Sequence, residues 1–163
     1  MIEIRPARAD EVHAAHALEL LCYPPEEAAS LERFLDRQAR FSAGFLLLVE
    51  DGVLRSLLCA VRTGIEDLGA HEIKAEGGHD PAGRDLVILS VATAPAHQRR
   101  GLAGRLLDAL SRLAPELGVA RIRLVCKAGK VAFYARHGFR HVGPSTSQHG
   151  GAGASWEEME RAA

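Results

Sequence analysis

LVILSVATAPAHQRRGLAG, residues 86–104, decides the fold of this chain. Leu86 to Thr93 carries β-branched residues on both faces, the pattern of a strand buried centrally in a sheet. Ala94-Pro95-Ala96-His97 breaks it. Gln98-Arg99-Arg100-Gly101-Leu102-Ala103-Gly104 then opens an amphipathic helix running to about Leu117, with Pro115 placing the end of its regular part near Leu113. A strand, a glycine-containing turn and a helix N-terminus together make an anion site, because free backbone N–H groups and the positive end of the helix dipole converge there. Gly101 and Ala103 leave room for a phosphate, and Arg99, Arg100 and Arg105 add charge. The same pattern also describes an ordinary strand–turn–helix with surface arginines. Two other phosphate motifs fail: the first glycine of G-x-G-x-x-G is missing, and there is no G-K-[ST].

Outward from this stretch, the chain reads as alternating strands and helices. Ile2 to Arg5 is an opening strand before Pro6. Asp10 is expected to cap a helix through about Leu21, with Val12, Ala15, Leu18, Glu19 and Cys22 inward. Tyr23-Pro24-Pro25 stops that helix. A second helix, Ser30 to about Arg40, turns Leu31, Phe34 and Leu35 inward. Phe45–Glu50 and Val53–Val61 flank Asp51-Gly52, the favoured hairpin turn. Residues 63–84 form a long polar connection, and a loop of that length is usually functional. A strand Ala120–Cys126, a short helix Val131–His137 ended by Gly138, and final strands Phe139–Val142 and Trp156–Glu160 complete a mixed α/β order.

The 163 residues fit one domain spanning residues 1–163, long enough to build a core without staples. With 47% hydrophobic and 25% charged residues, disordered and collagenous classes are excluded. No apolar run reaches the length of a membrane span and the N-terminus has no apolar signal core, so no membrane partner is expected. Cys22, Cys59 and Cys126 are odd in number and scattered; they read as reduced thiols of a cytoplasmic protein rather than a zinc site. A net charge of -1 gives no nucleic-acid footprint. The charge is divided, however: residues 1–85 hold 16 acids and 9 bases, and residues 86–141 hold 2 acids and 10 bases. The basic half suits an anion and the acidic half a cation.

Gln98-Arg99-Arg100-Gly101-Leu102-Ala103 resembles the Q/R-x-x-G-x-G/A pyrophosphate loop of the GNAT superfamily of N-acetyltransferases. Phe133-Tyr134-Ala135-Arg136-His137-Gly138-Phe139 resembles that family's F-Y-x-x-x-G-F segment, at the family's distance. With Gly143-Pro144, Trp156-Glu157-Glu158-Met159 and the Cys22–Ser30 loop, the chain is most similar to the arylalkylamine N-acetyltransferase branch. The resemblance covers nearly the whole chain. It implies a mostly antiparallel sheet of six to seven strands, splayed between the fourth and fifth, with about four helices. It implies acetyl-CoA as co-substrate and no metal. Val91, Ala92 and Thr93 would bind the pantetheine arm, and Arg99, Arg100, Gly101, Leu102, Ala103 and Gly104 the pyrophosphate. Tyr134 would lie at the thioester and protonate the leaving thiolate. Tyr23, Pro24 and Ser90 would bind the acceptor, a small-molecule amine of arylalkylamine or polyamine type, walled also by Glu19, Glu26 and Glu27. The protein would be a monomer or homodimer.

One departure bears on mechanism. The animal enzymes of that branch place two histidines on the fourth strand, at positions that are Val87 and Leu89 here. Neither moves a proton. Glu19, Glu50, Ser90, His71, His79 and His149 are the alternatives for a base, with His149 in a stretch, 145–151, able to fold over the amine side. Val87 and Leu89 also motivate a catalytically weak acyl-CoA-binding sensor as a rival reading. Acetylation of protein lysines or N-termini is another, though it needs a groove open to a backbone. His13 and His16 share a helix face without an evident third metal ligand. Cys126, beside Lys127, is by default a small buried hydrophobe.

Overall fold

A computed structural model of the chain describes residues 1–147, 149–150 and 155–163. The hairpin at Asp51-Gly52 sets the register of its first half. Asp51 and Gly52 take φ of 51° and 81°, dihedrals an Asp-Gly pair tolerates. Across them β2 (Phe45–Glu50) and β3 (Val53–Thr63) pair antiparallel, and β1 (Ile2–Pro6) adds to β2. β4 (Asp85–Thr93) runs antiparallel to β3 and parallel to β5 (Arg121–Cys126). β7 (Glu157–Ala162) lies against β5, and β6 (Arg140–Pro144) closes the edge. The order β1-β2-β3-β4-β5-β7-β6 is the expected mixed α/β fold: seven strands, mostly antiparallel, parting between β4 and β5.

Period-two alternation gives the sheet two apolar faces. Leu46, Leu48, Leu58, Ala60, Leu86 and Ile88 face α3 (Leu102–Leu117). Phe45, Leu47, Leu57 and Cys59 face α1 (Val12–Cys22) and α2 (Leu31–Phe41). The short α4 (Val131–Arg136) lies on the α3 side, where Phe133 and Tyr134 pack on the first cluster.

Several boundaries differ from expectation. Asp10 lies in a 3-10 turn, Ala9–Glu11, and α1 follows it without a side-chain cap. On α2, Ser30 is the N-cap rather than the first helical residue, accepting from the Arg33 amide at 3.2 Å, and Leu35 is exposed while Arg37 is buried in its place. α3 does not stop before Pro115. Ala114 is fully buried against the sheet, so packing outweighs the one hydrogen bond that proline removes, and Gly118 at φ 71° ends the helix. The final strands run on to Pro144 and Ala162. The 64–84 connection is not merely polar: Leu68 and Ile73 are buried against Val61 and Val87. No helix is long and apolar enough to cross a membrane among the described residues.

Candidate functional site

The site is built where the sheet parts. β4 and β5 pair from Asp85↔Arg121 to Ile88↔Leu124 and no further, although β4 continues to Thr93. The cause lies on β4. Ser90 pairs with Cys59 and Ile88 with Ala60, leaving Leu89 unpaired as a bulge. A bulge bends its strand, and the extra residue reverses which side chains face which way. Leu86 and Ile88 face α3, whereas Ser90 faces α1. Beyond the bulge, the backbone of Val91 and Thr93 turns into the gap. The Ala92 carbonyl instead points to β3, where it accepts from Ser56 Oγ at 3.0 Å. Val91 and Thr93 are therefore free of β3 to pair with an inserted arm, and Ala92 contributes packing.

Side chains cap those edge groups. Tyr23 Oη donates to the Val91 carbonyl at 2.6 Å, and the Thr93 carbonyl accepts from Cys22 Sγ and Gln98 Nε2, each at 3.2 Å. At the far end of β4, Arg99 and Gly101 both sit at positive φ, 62° and 79°. Such alternation makes a concave nest of backbone donors at the start of α3. The first turn-spanning helical bond runs from the Arg105 amide to the Gly101 carbonyl, so the amides of Leu102, Ala103 and Gly104 precede the helical ladder. A Cβ on Gly101 would meet nothing within 4 Å, so this glycine serves the dihedral rather than close packing. Gly104 has a different role: a Cβ there would lie 2.6 Å from His137 Cε1, so it lets α3 approach the end of α4. Arg100 is partly spent on Glu50, at 2.6 Å; Arg99 and Arg105 are exposed at the loop.

Between this edge and the α1–α2 face lies a cavity of about 760 Å³, open mouth included. Tyr134 enters it from α4, Trp156 from just before β7, and Val87, Leu89, Ser90 and Val91 from β4. Glu19 enters from α1. It is 1% exposed. Its Oε2 accepts from the Ala29 amide and Ser90 Oγ, both at 3.0 Å, while its Oε1 is buried with no partner among the described residues. Burial raises its pKa against those bonds and the nearby Arg37 and His16 charges. Burial likewise drives the Tyr134 phenol far above its ordinary value, helped by the neighbouring Tyr23 and Cys126. A raised carboxylate and a proton-loaded phenol on one cavity can accept a proton and donate one.

Other predicted residues fall elsewhere. Pro24 and Glu26 are exposed outside the cavity. Glu50 pairs with Arg100 and Arg55, and His71 is exposed. His79 stacks on Phe41 at 4.3 Å and accepts from the Arg62 amide. His149 does reach the cavity, its Nε2 2.6 Å from the Glu27 carbonyl, but burial lowers its pKa. Gly151, at the end of the stretch expected to fold over the amine side, lies outside the described residues. Cys126 is 4% exposed, and burial pushes its thiol up to about 11; Lys127 does not favour the thiolate, being paired with Glu27 at 2.5 Å. His16 is held by the Ala29 carbonyl at 3.0 Å and His13 is exposed. No group of three metal-ligating side chains occurs among the described residues. The sequence reading missed Arg33, Arg37 and Lys74, which line the α2 end of the cavity. Only the position of Arg37 one turn after Phe34 could have signalled it.

Residues 12–139 match the model of the acetyltransferase (GNAT) family. No curated protein matches the chain. Solved structures do. The loading GNATL domain of CurA from Lyngbya majuscula superposes with a TM-score of 0.87 at 16% identity, covering 99% of this chain and 98% of that one. The GphF GNAT-like decarboxylase in complex with isobutyryl-CoA gives 0.80 at 22% identity, with 98% of both chains covered. PaiA N-acetyltransferase from Thermoplasma acidophilum, in complex with coenzyme A, gives 0.72 at 15% identity, covering 100% of this chain and 99% of that one. At these identities the likeness is one of fold.

Proposed function

The chain belongs to the acetyltransferase (GNAT) family, and from that premise we propose that it moves the acetyl group of acetyl-CoA to the primary amine of a small molecule by direct attack. One observation carries the reading. Glu19 and Tyr134 reach a single cavity from opposite faces of the sheet, beside the open backbone edge of β4. The pyrophosphate would rest on the Arg99–Gly104 turn, and the pantetheine arm would run along Val91 and Thr93, displacing the Tyr23 hydroxyl. Acetyl-CoA supplies the activated carbonyl when bound.

The residues then divide the proton work. Glu19 Oε1 takes a proton from the incoming ammonium, leaving a neutral nitrogen to attack the carbonyl carbon. The carbon–sulfur bond breaks, and the Tyr134 hydroxyl gives its proton to the departing sulfur. The proton lost by the attacking nitrogen restores the phenol. Burial of Tyr134 disfavours a free phenolate, so its proton leaves only as another arrives. Val87 and Leu89 need not move protons, because Glu19 approaches the same space from α1.

Thiol release from acetyl-CoA across pH 6.5–9.5, a range spanning the pKa region of thiols and amines from roughly 8 to 10, tests the division. Tyr134→Phe is expected to lose about 10²-fold in kcat with acetyl-CoA affinity retained. Glu19→Gln is expected to lose a similar factor at neutral pH and to recover as pH rises, since the amine then arrives neutral. Full activity in both variants would overturn the assignment. Tight acetyl-CoA binding without turnover of any amine would favour a sensor instead, and a peptide outpacing small amines would favour a protein acceptor. The arylalkylamine and polyamine options fare unequally: Trp156 and Tyr23 offer apolar walls for an aromatic stem, whereas the cations of the α2 end oppose a polyamine.

A further inference from the structure

The α2 end of the cavity holds a charge pattern that acetyl transfer by itself does not require. Arg33, Arg37 and Lys74 converge there. Arg37 is 4% exposed. Its Nη2 donates to the Lys74 carbonyl at 3.1 Å, and its Nη1 is buried with no partner among the described residues. The Lys74 ammonium is pushed down to about 8 by burial and by its two arginine neighbours. Among the described residues no carboxylate of the cavity wall forms an ion pair with these cations, although Asp36, outside the wall, feels the charge of Arg37. Glu27 is taken by Lys127 at 2.5 Å. Glu19 lies near enough to feel the charge of Arg37, yet the two form no ion pair, and Glu19 Oε1 is itself unpartnered.

A buried guanidinium and a buried carboxylate on the wall of one cavity, each with an atom that lacks a hydrogen-bond partner, are costly unless something joins them, even with the Cys59 thiol beside the guanidinium. A molecule with an ammonium at one end and a carboxylate close by would satisfy both. Resting on the transfer reaction above, we propose that the acceptor is an amino acid, its carboxylate seated on Arg37 Nη1 and Lys74 and its amine on Glu19 Oε1. Guanidinium and carboxylate match as planar, charge-assisted partners. Arg33 adds to the same field. A carboxylate could also reach these cations from the acyl group of a dicarboxylic thioester, and the experiment separates the two sources.

The full chain is given acetyl-CoA with matched pairs: leucine against 3-methylbutylamine, and phenylalanine against 2-phenylethylamine. The ratio of kcat/KM within each pair is read by thiol release. The amino acid is expected to exceed its decarboxylated partner by at least about a hundredfold, since a site built for a polar group rejects the analogue lacking it. Arg37→Met and Lys74→Met are each expected to lower that ratio about tenfold or more, which a merely structural role would not do. If Arg37→Met does not fold, Lys74→Met, at a half-buried loop position, carries the test. Equal or faster acetylation of the plain amines, or a ratio unmoved by the substitutions, would overturn the amino-acid assignment and leave acetyl transfer standing. Malonyl-CoA consumed with carbon dioxide release and no acceptor present would also overturn it, giving the carboxylate to the acyl group. Acetylation of neither member of any pair would sink both readings.

Discussion

Glu19 links stability to the proposed chemistry through a single side chain. Its carboxyl is buried and its pKa raised by that burial. An acid whose folded pKa lies above its unfolded value holds its proton longer in the native state. Stability through this group therefore falls as pH rises through the unfolded carboxylate range toward the folded value. Glu19→Gln keeps acceptors for the Ala29 amide and Ser90 hydroxyl but cannot ionise. It is expected to melt higher than the parent at neutral pH, by about 2–4 °C for each kcal/mol relieved, with the gap closing near pH 4. A calorimetric pH series checks this; a gap that widens toward acid would refute the burial argument. At this scale the sequence was only partly legible. Glu19 stood among several possible bases, because its facing partner Ser90 is turned toward α1 by a bulge that no residue pattern announced. Arg37 was hard to read for the opposite reason: its spacing from Phe34 puts it inward, but a charged residue on an amphipathic helix is ordinarily on the wet face.

The turn between β4 and α3 is the element most fully written in the sequence. Its glycine, arginines and preceding strand all pointed to an anion cradle, and the fold gives Arg99 and Gly101 the positive φ such a cradle needs. What composition could not separate is why each glycine is there. Gly101→Ala introduces no contact but holds alanine in the left-handed region, at a cost of about 1–2 kcal/mol. Gly101→Glu adds a negative charge at the cradle. Urea titration is expected to show similar destabilisation for both, while calorimetric titration with acetyl-CoA shows binding kept in the alanine variant and abolished in the glutamate one. Unchanged affinity in a folded Gly101→Glu protein would refute the cradle. Gly104→Ala, by contrast, is expected to act on packing, pushing His137 and α4 away from α3. Pro115 misled for a related reason: local propensity argued for a stop, and burial of Ala114 overruled it.

For the whole molecule, the parted sheet is held closed at one end by charge. Asp85, 1% exposed, meets Arg121 Nε at 3.1 Å and Arg123 Nη1 at 3.4 Å; Arg123 continues to Glu158 and Arg121 to Glu160. The network spans β4, β5 and β7 below the gap. Asp85→Ala leaves the buried Arg123 undercompensated and is expected to cost about 3–5 kcal/mol, read as a lower denaturation midpoint in urea. A loss below roughly 0.5 kcal/mol, the range of a neutral surface substitution, would show that the network is not what closes the sheet. Charge arithmetic along the chain gave no sign of the cations on the cavity wall, for want of this three-dimensional sorting. The first half is acidic in total, but the fold exposes much of that acid and gathers Arg33, Arg37 and Lys74 at the cavity. The mostly antiparallel sheet and its parting, in contrast, were implied by the family resemblance, while the order of its strands was not. That parting has a consequence for life in a crowded solution. A sheet that opens in its middle acquires inner edges, and bare strand edges are templates for aggregation. Here Tyr23, Cys22 and Gln98 cover the carbonyls of the β4 edge with side-chain donors, much as charged or proline residues blunt an outer strand. Between turnovers the protein thus keeps its own gap from recruiting a neighbour's strand.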